Sequence, residues 1–401
     1  MTEAQVKVSF PMERKCPFQP PAEYAELRES EPIALVDRAA GGTTWVATKH
    51  EYVRKLLADP RVSSDRSRPN NPSLVPIPPQ FLQPINRPLV ILDPPEHTRH
   101  RRLIINEFTM KRVQNLRPNI QRIVDTCIDD ILAGENPTDL VENLARPVPT
   151  LVICELLGIS YEERKIFWDA SSRVFRETST PQEIGAAFQE LRGFLDAQIA
   201  AKEANPGDDL LSRLVVRYQE EGIYERARII STALGLLVAG HETTANMIGL
   251  GAAALLSHPD QLAEFRADPA LAAQTVEELL RYCSITDVIT ARTVTEDIEI
   301  GGVTLQAGDG VVALGGAANR DPEVFPEPDT FDIHRTSRQH VAFGYGPHQC
   351  LGANLARVEL EIVYTTLFKR IPTLRLTVPL EELPFKNLAP VYGLRSLPAA
   401  W

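Results

Sequence analysis

The stretch IISTALGLLVAGHETTANMIGLGAAALL, residues 229–256, constrains the fold more than any other part of the chain. Its first dozen residues are apolar around the whole circumference of a helix, which marks a helix enclosed by protein. A helix spanning about residues 224–257 is therefore expected, buried through the middle of a domain. Covering it needs a large core, and 401 residues with 43% hydrophobic positions can supply one. The run then meets His241, Glu242, Thr243 and Thr244. Four polar side chains in a buried helix cost free energy unless they find partners or line a cavity. The Thr243 hydroxyl can bond the Ala239 carbonyl four residues back and loosen the helix beside Gly240.

Most of the remaining chain also reads as helix, without internal repeats. Residues 32–49 alternate apolar and polar side chains around Gly41-Gly42, the pattern of a β-hairpin. Residues 290–314 read as a second strand-rich stretch. Residues 69–95 hold nine prolines and can form neither a helix nor a central strand. A loop of that length inside a compact domain is expected to be a functional lid. The whole chain, 1–401, is expected to form one domain.

A net charge of −11 leaves no basic stripe for nucleic acid. Neither a signal peptide nor a membrane-spanning run is visible, so a soluble, cytoplasmic protein is expected; it is also expected to be a monomer. The five cysteines, Cys16, Cys127, Cys154, Cys283 and Cys350, are at least 27 residues apart. That spacing holds no CxxC pair or cysteine-rich zinc site, and the odd number argues against a disulfide framework. A metal bound by Cys350 would have it as sole protein thiolate.

Cys350 lies in VAFGYGPHQCLGANLARVELE, residues 341–361. Gly344 and Gly346 suit a tight loop pressed against something flat. Leu351, Leu355, Val358 and Ile362 then recur at helical spacing, which places Cys350 at a helix N-terminus, where free N–H groups favour the thiolate.

Phe343, Gly346, His348 and Cys350 form F-x-x-G-x-H-x-C, which resembles the haem-ligand loop of the cytochrome P450 family. Three further motifs follow that family's pattern: the ExxR of Glu278 and Arg281, AGHETT around Glu242, and HTRHR from residue 97. The likeness runs from PFQPPAEYAELRE to the C-terminus. It resembles the soluble bacterial three-component type, particularly actinobacterial hydroxylases of polyketides, statins and drugs. The fold this implies is mainly α with small β-sheets, with haem held between a distal helix and a proximal cysteine loop.

The resemblance implies haem b with Cys350 as axial ligand, where a thiolate pushes electron density toward bound oxygen and favours O–O cleavage. Phe343 would pack near the sulfur, and backbone N–H groups after Cys350 would temper its donation. His97, Arg101, Arg292 and His348 would hold the two propionates. Glu278, Arg281 and Arg335 would form a buried ion network supporting the cysteine loop. Glu242 and Thr243 match an acid–alcohol pair that delivers protons to O₂ without flooding the site with water.

These expectations describe a monooxygenase fed by NAD(P)H through a ferredoxin reductase and a ferredoxin. No nucleotide-binding fingerprint or fused reductase appears, so the electrons are expected from separate proteins. Arg99, Arg102, Lys111, Arg112 and Arg357 are candidates for a local basic patch toward an acidic ferredoxin. A bulky apolar substrate is expected against Leu74, Val75, Ile77, Phe81, Leu82, Leu236, Leu237 and Ala239. By resemblance, Ile285, Val288, Ile289, Val391 and Tyr392 close the same cavity. A haem-based sensor or carrier is the alternative class, and it has no need of an acid–alcohol pair.

Overall fold

The computed structural model describes residues 9–73, 87–160, 162–175, 179–286, 290–387 and 389–401. Six of its helices position the candidate site: α1 (Glu96–Ile104), α2 (Met110–Ala133), α3 (Pro147–Leu157), α4 (Arg226–Leu256), α5 (Ala272–Cys283) and α6 (Ala353–Arg370).

The apolar stretch forms α4, about 46 Å long at the usual rise of ~1.5 Å per residue. The expected loosening beside Gly240 does not break it, and the backbone is α-helical throughout. Pro259, which opens the next helix, follows soon after its end. Ile229, Ala233, Leu237, Leu250 and Leu255 have no exposed surface. They belong to a core continuous with Ile120 and Val124 of α2, Val148 of α3, Leu279 of α5 and Val363 of α6. Close helix crossings explain the small residues of α4. A Cβ at Gly251 would lie 2.0 Å from the Tyr364 hydroxyl of α6. That hydroxyl donates to the Met247 carbonyl at 2.5 Å, so glycine at position 251 lets α6 seat on the α4 backbone.

The two strand-rich stretches meet in one six-stranded sheet, in the order Ser9–Phe10, Ile33–Arg38, Thr43–Ala47, Gly310–Ala313, Ala291–Val294, Val62–Ser63. The expected hairpin is antiparallel, with Leu35 opposite Trp45. Thr43–Ala47 then runs parallel to Gly310–Ala313, with Trp45 opposite Val311. Arg292 is thereby fixed on a buried strand opposite Val311. A three-stranded sheet joins Arg375–Leu376, Pro398–Ala400 and Thr138–Asp139. Among the described residues, no helix is long and apolar enough to cross a membrane.

Candidate active site

The cysteine loop is shaped by its own backbone. The Gly344 N–H donates to the Val341 carbonyl at 2.8 Å, and the Cys350 N–H to the Phe343 carbonyl at 2.8 Å. Gly346 has φ +72°, and a Cβ there would lie 2.6 Å from the Leu57 carbonyl. The loop is thus pressed onto the end of the helix His50–Ala58, as its glycines suggest. Helix α6 begins three residues after the cysteine.

Burial pushes the thiols of Cys127, Cys154 and Cys283 up to about 12. The Cys350 thiol is also pushed up. Burial outweighs the Gly352 N–H and the nearby Arg101 and Arg357, all of which favour the thiolate. The Gly352 N–H at the start of α6 thus favours the thiolate, as the helix position suggests, and coordination to a metal ion deprotonates a thiol outright.

Behind the loop lies the Glu–Arg network. Glu278 and Arg281 are fully buried and form two parallel hydrogen bonds of 2.7 Å. Arg281 also donates to the Asn319, Pro328 and Thr330 carbonyls. Glu278 accepts from Arg335 Nε at 3.3 Å and Ser337 Oγ at 2.5 Å. From there, Asn319 Oδ1 accepts the Val341 N–H at 2.7 Å, at the start of the cysteine loop. Every lone pair and proton of the pair is engaged, the condition under which a buried ion pair is tolerated.

His97, Arg101, Arg292 and His348 converge from α1, the six-stranded sheet and the cysteine loop. The rings of His97 and His348 lie 4.0 Å apart. Both ring nitrogens of His97 are buried and have no hydrogen-bond partner among the described residues. Arg101 donates to the Gln349 carbonyl at 2.6 Å. Burial, then repulsion from Arg101, lowers His97 to about 4; burial, then repulsion from His97, Arg292 and Arg101, lowers His348 to about 3; and burial, then repulsion from Arg66, lowers Arg292 to about 10. Asp93 offsets this weakly, and its own carboxylate is engaged by Ser63 and the Ser64 N–H. Such a cluster, rich in donors and poor in acceptors, fits a ligand carrying two carboxylates.

On α4, Thr243 Oγ1 donates to the Ala239 carbonyl at 2.6 Å. Glu242 Oε1 accepts from Lys386 Nζ at 2.7 Å and Asn246 Nδ2 at 3.1 Å. Leu236, Ala239 and Thr243 share one helical face by their spacing. Leu237 lies about 100–160° away from these three around the helix and is fully buried in the core, so it cannot line a cavity beside them. Tyr392 is buried against Arg14, and its hydroxyl donates to the Pro17 carbonyl, while its N–H donates to the carbonyl of the buried Ile285. Val391 is half-buried. Leu74, Val75, Ile77, Phe81, Leu82, Val288 and Ile289 lie outside the described residues, as does much of the expected lid.

The proposed basic patch is partly neutralised. Arg102 pairs with Glu221, Arg112 with Asp208 and Arg357 with Glu277. Arg99 and Lys111 are exposed.

Sequence reasoning missed Glu277, His340, Asn246 and Lys386, all of which contact residues it had singled out. Glu277 sits beside the recognised Glu278, and His340 opens the cysteine segment. Lys386 carried one readable signal, a lone cation in the apolar C-terminal run ELPFKNLAPVYG.

A prosthetic group that brings two carboxylates to one site and a metal to a single cysteine is haem, and these features define a haem-thiolate protein. Residues 165–378 match the Cytochrome P450 family model. Cytochrome P450 105A3 of Streptomyces carbophilus is 47% identical, aligned over 99% of this chain and 97% of the relative. The 20-oxo-5-O-mycaminosyltylactone 23-monooxygenase of Streptomyces fradiae is 43% identical over 98% and 92% of the two chains. The crystal structure of cytochrome P450 MoxA from Nonomuraea recticatena superposes with a TM-score of 0.94 at 49% identity, covering 98% of each chain. The chain belongs to the cytochrome P450 family. It is a monooxygenase whose cofactor is haem b held through a cysteine thiolate.

Proposed function

We propose that this chain hydroxylates a bulky, largely apolar secondary metabolite of the polyketide or statin-like kind, with Cys350 as the haem ligand. Bound haem supplies the activation of O₂, which with two electrons and two protons puts one oxygen atom into the substrate and reduces the other to water. The residues of the chain supply the rest. His97, Arg101, Arg292 and His348 hold the haem carboxylates, and Glu278, Arg281 and Arg335 anchor the loop that carries the sulfur. The Thr243 hydroxyl donates to the Ala239 carbonyl and leaves its lone pairs to accept a proton or hydrogen bond. Glu242, one residue away, is the acid that passes protons from solvent.

The donor cluster of His97, Arg101, Arg292 and His348 beside Cys350 supports this reading most directly. The S. fradiae relative, named for a mycaminosyltylactone, supports a bulky substrate. Substrate affinity would follow buried apolar area, at about 25 cal/mol per Å² before ordering costs. Leu236, Ala239, Val391 and Ile285, with Leu74, Val75, Ile77, Phe81, Leu82, Val288 and Ile289, are the proposed lining. Electrons would arrive from a separate NAD(P)H-dependent ferredoxin reductase through a ferredoxin, to a cytoplasmic, monomeric, single-domain enzyme. A gas or lipid carrier would have no use for Glu242 beside Thr243.

The test is a titration of the ferric protein with compactin-like and macrolide-like compounds. At least one should shift the iron from low to high spin and give a hydroxylated product in a reconstituted turnover. Response to small polar ligands alone would refute the substrate class.

A further inference from the structure

We propose that Lys386 is a positioning residue that clamps Glu242 as a carboxylate, so that the C-terminal segment governs when this acid can pass a proton. The inference deepens the role proposed for Glu242 and rests on it.

Lys386 is 4% exposed, deep burial for a lysine. Its ammonium donates to Glu242 Oε1 at 2.7 Å and to Asn246 Oδ1 at 3.2 Å. Asn246 Nδ2 closes the ring by donating to Glu242 Oε1 at 3.1 Å, and it approaches the Val391 carbonyl at 3.4 Å. Burying an ammonium costs several kcal/mol unless its partners are well placed. Here an acid and an amide on successive turns of α4 are placed to receive it.

The backbone makes this contact specific to one segment. Phe385 and Leu394 form a β-bridge, and the Lys386 N–H donates to the Gly393 carbonyl at 2.9 Å. A Cβ at Gly393 would lie 2.2 Å from Asn246 Oδ1, so this segment is pressed directly onto α4. Between the two bridged ends lies Val391, proposed to meet substrate, next to the buried Tyr392. A displacement there is transmitted to Lys386 through a short closed turn.

The titratable and charged groups that bear on Glu242 are Lys386 and the adjacent His241; Arg146, ahead of α3, acts through His241. Burial would push the Glu242 carboxyl up. Lys386, then His241 and Asn246, reverse this and hold it below its ordinary value. A carboxylate bonded to an ammonium accepts protons and has none to give. To relay one inward, Glu242 must part from Lys386 and take a proton from solvent.

Four holoproteins test this: wild type, Lys386→Met, Glu242→Gln and the double variant. Difference infrared spectra between wild type and Glu242→Gln should contain no protonated-carboxyl stretch from pH 5 to 8. The Lys386→Met protein at pH 7 should show that stretch, and the double variant should lose it. In Lys386→Met, product per NAD(P)H should fall as pH rises, about tenfold per pH unit once Glu242 begins to ionise, as one titrating proton requires. Wild type should lack this limb, and the Glu242→Gln background should abolish it. A Glu242-dependent carboxyl stretch in wild type would overturn the clamp, and that comparison needs no Lys386 variant to fold. Superimposable spectra and pH profiles for wild type and Lys386→Met would overturn it as well. Normal turnover in Glu242→Gln would instead remove the proposed proton role, while the infrared comparison still reads the clamp.

Discussion

The Arg357 guanidinium lies 4.6 Å from the centroid of the Phe343 ring, and the carboxylate that holds it there, Glu277, also accepts from His340. The His340 ring is 5.9 Å from the same phenyl group. Phe343, whose carbonyl accepts the Cys350 N–H, thus sits between two side chains gripped by one acid. Because the Ala342 N–H donates to His340 Nδ1, the proton of neutral His340 is on Nε2, pointing at Glu277.

Glu277 should therefore stabilise the cysteine loop in a pH-dependent way. Burial pushes its carboxyl up, but His340 and Arg357 outweigh burial and bring it down from 4.5 to about 2. An acid with a depressed folded-state pKa contributes stability above its unfolded value and loses it as pH falls from about 4.5 toward 2. The shift corresponds to about 3 kcal/mol at neutral pH. Urea unfolding at pH 7 should show Glu277→Gln destabilised by that order, with the gap to wild type reduced by roughly half at pH 3.

The Glu278–Arg281 pair should be far less tolerant. Both side chains are fully buried, so Arg281→Met strands a carboxylate that retains only Arg335 as a charged partner. A loss of about 3–5 kcal/mol is expected in urea unfolding, with little haem retained after purification. Glu278→Gln keeps a hydrogen-bond acceptor for Arg281 and should lose less.

Haem retention should weaken as pH rises. His97 and His348 are neutral above about 4 and 3 in the protein alone, and a dianion placed among them raises both values. Groups whose pKa rises on binding favour the bound state at low pH and lose that contribution as pH climbs through the bound value. Transfer of haem to excess apomyoglobin should be faster at pH 8 than at pH 5.5. His97→Phe should flatten this dependence while speeding transfer at the lower pH.

Thr243→Ala should leave the fold and substrate-induced spin shift unchanged, since the lost bond is an exposed one within α4. Loss of one hydrogen bond of about 1.4 kcal/mol to the reacting oxygen amounts to a tenfold change in partitioning. Product per NAD(P)H should fall by about that factor, with hydrogen peroxide accounting for the difference. Unchanged coupling would remove Thr243 from the proposed role.

The elements legible in the sequence were those set by local pattern. The continuous apolarity of residues 229–240 marked α4, and Gly41-Gly42 marked the hairpin. The bond from Thr243 to Ala239 followed from helical spacing. What stayed hidden depended on contacts far apart in the chain. Lys386 meets Glu242 across 144 positions, and Arg357 meets Glu277 across 80. Nothing local announces such pairs. Leu237 was misplaced because apolarity alone does not say which side of a fully apolar helix turns toward a cavity.

The central claim is that Cys350 alone ties haem iron to this chain, and the reduced protein under carbon monoxide tests it most directly. Wild type should give the red-shifted Soret band of a thiolate-ligated haem, as should single alanine variants of Cys16, Cys127, Cys154 and Cys283 that fold. Cys350→Ala should lose the band completely. Its persistence in Cys350→Ala, or a wild-type band at the position of a histidine-ligated haem, would contradict the account.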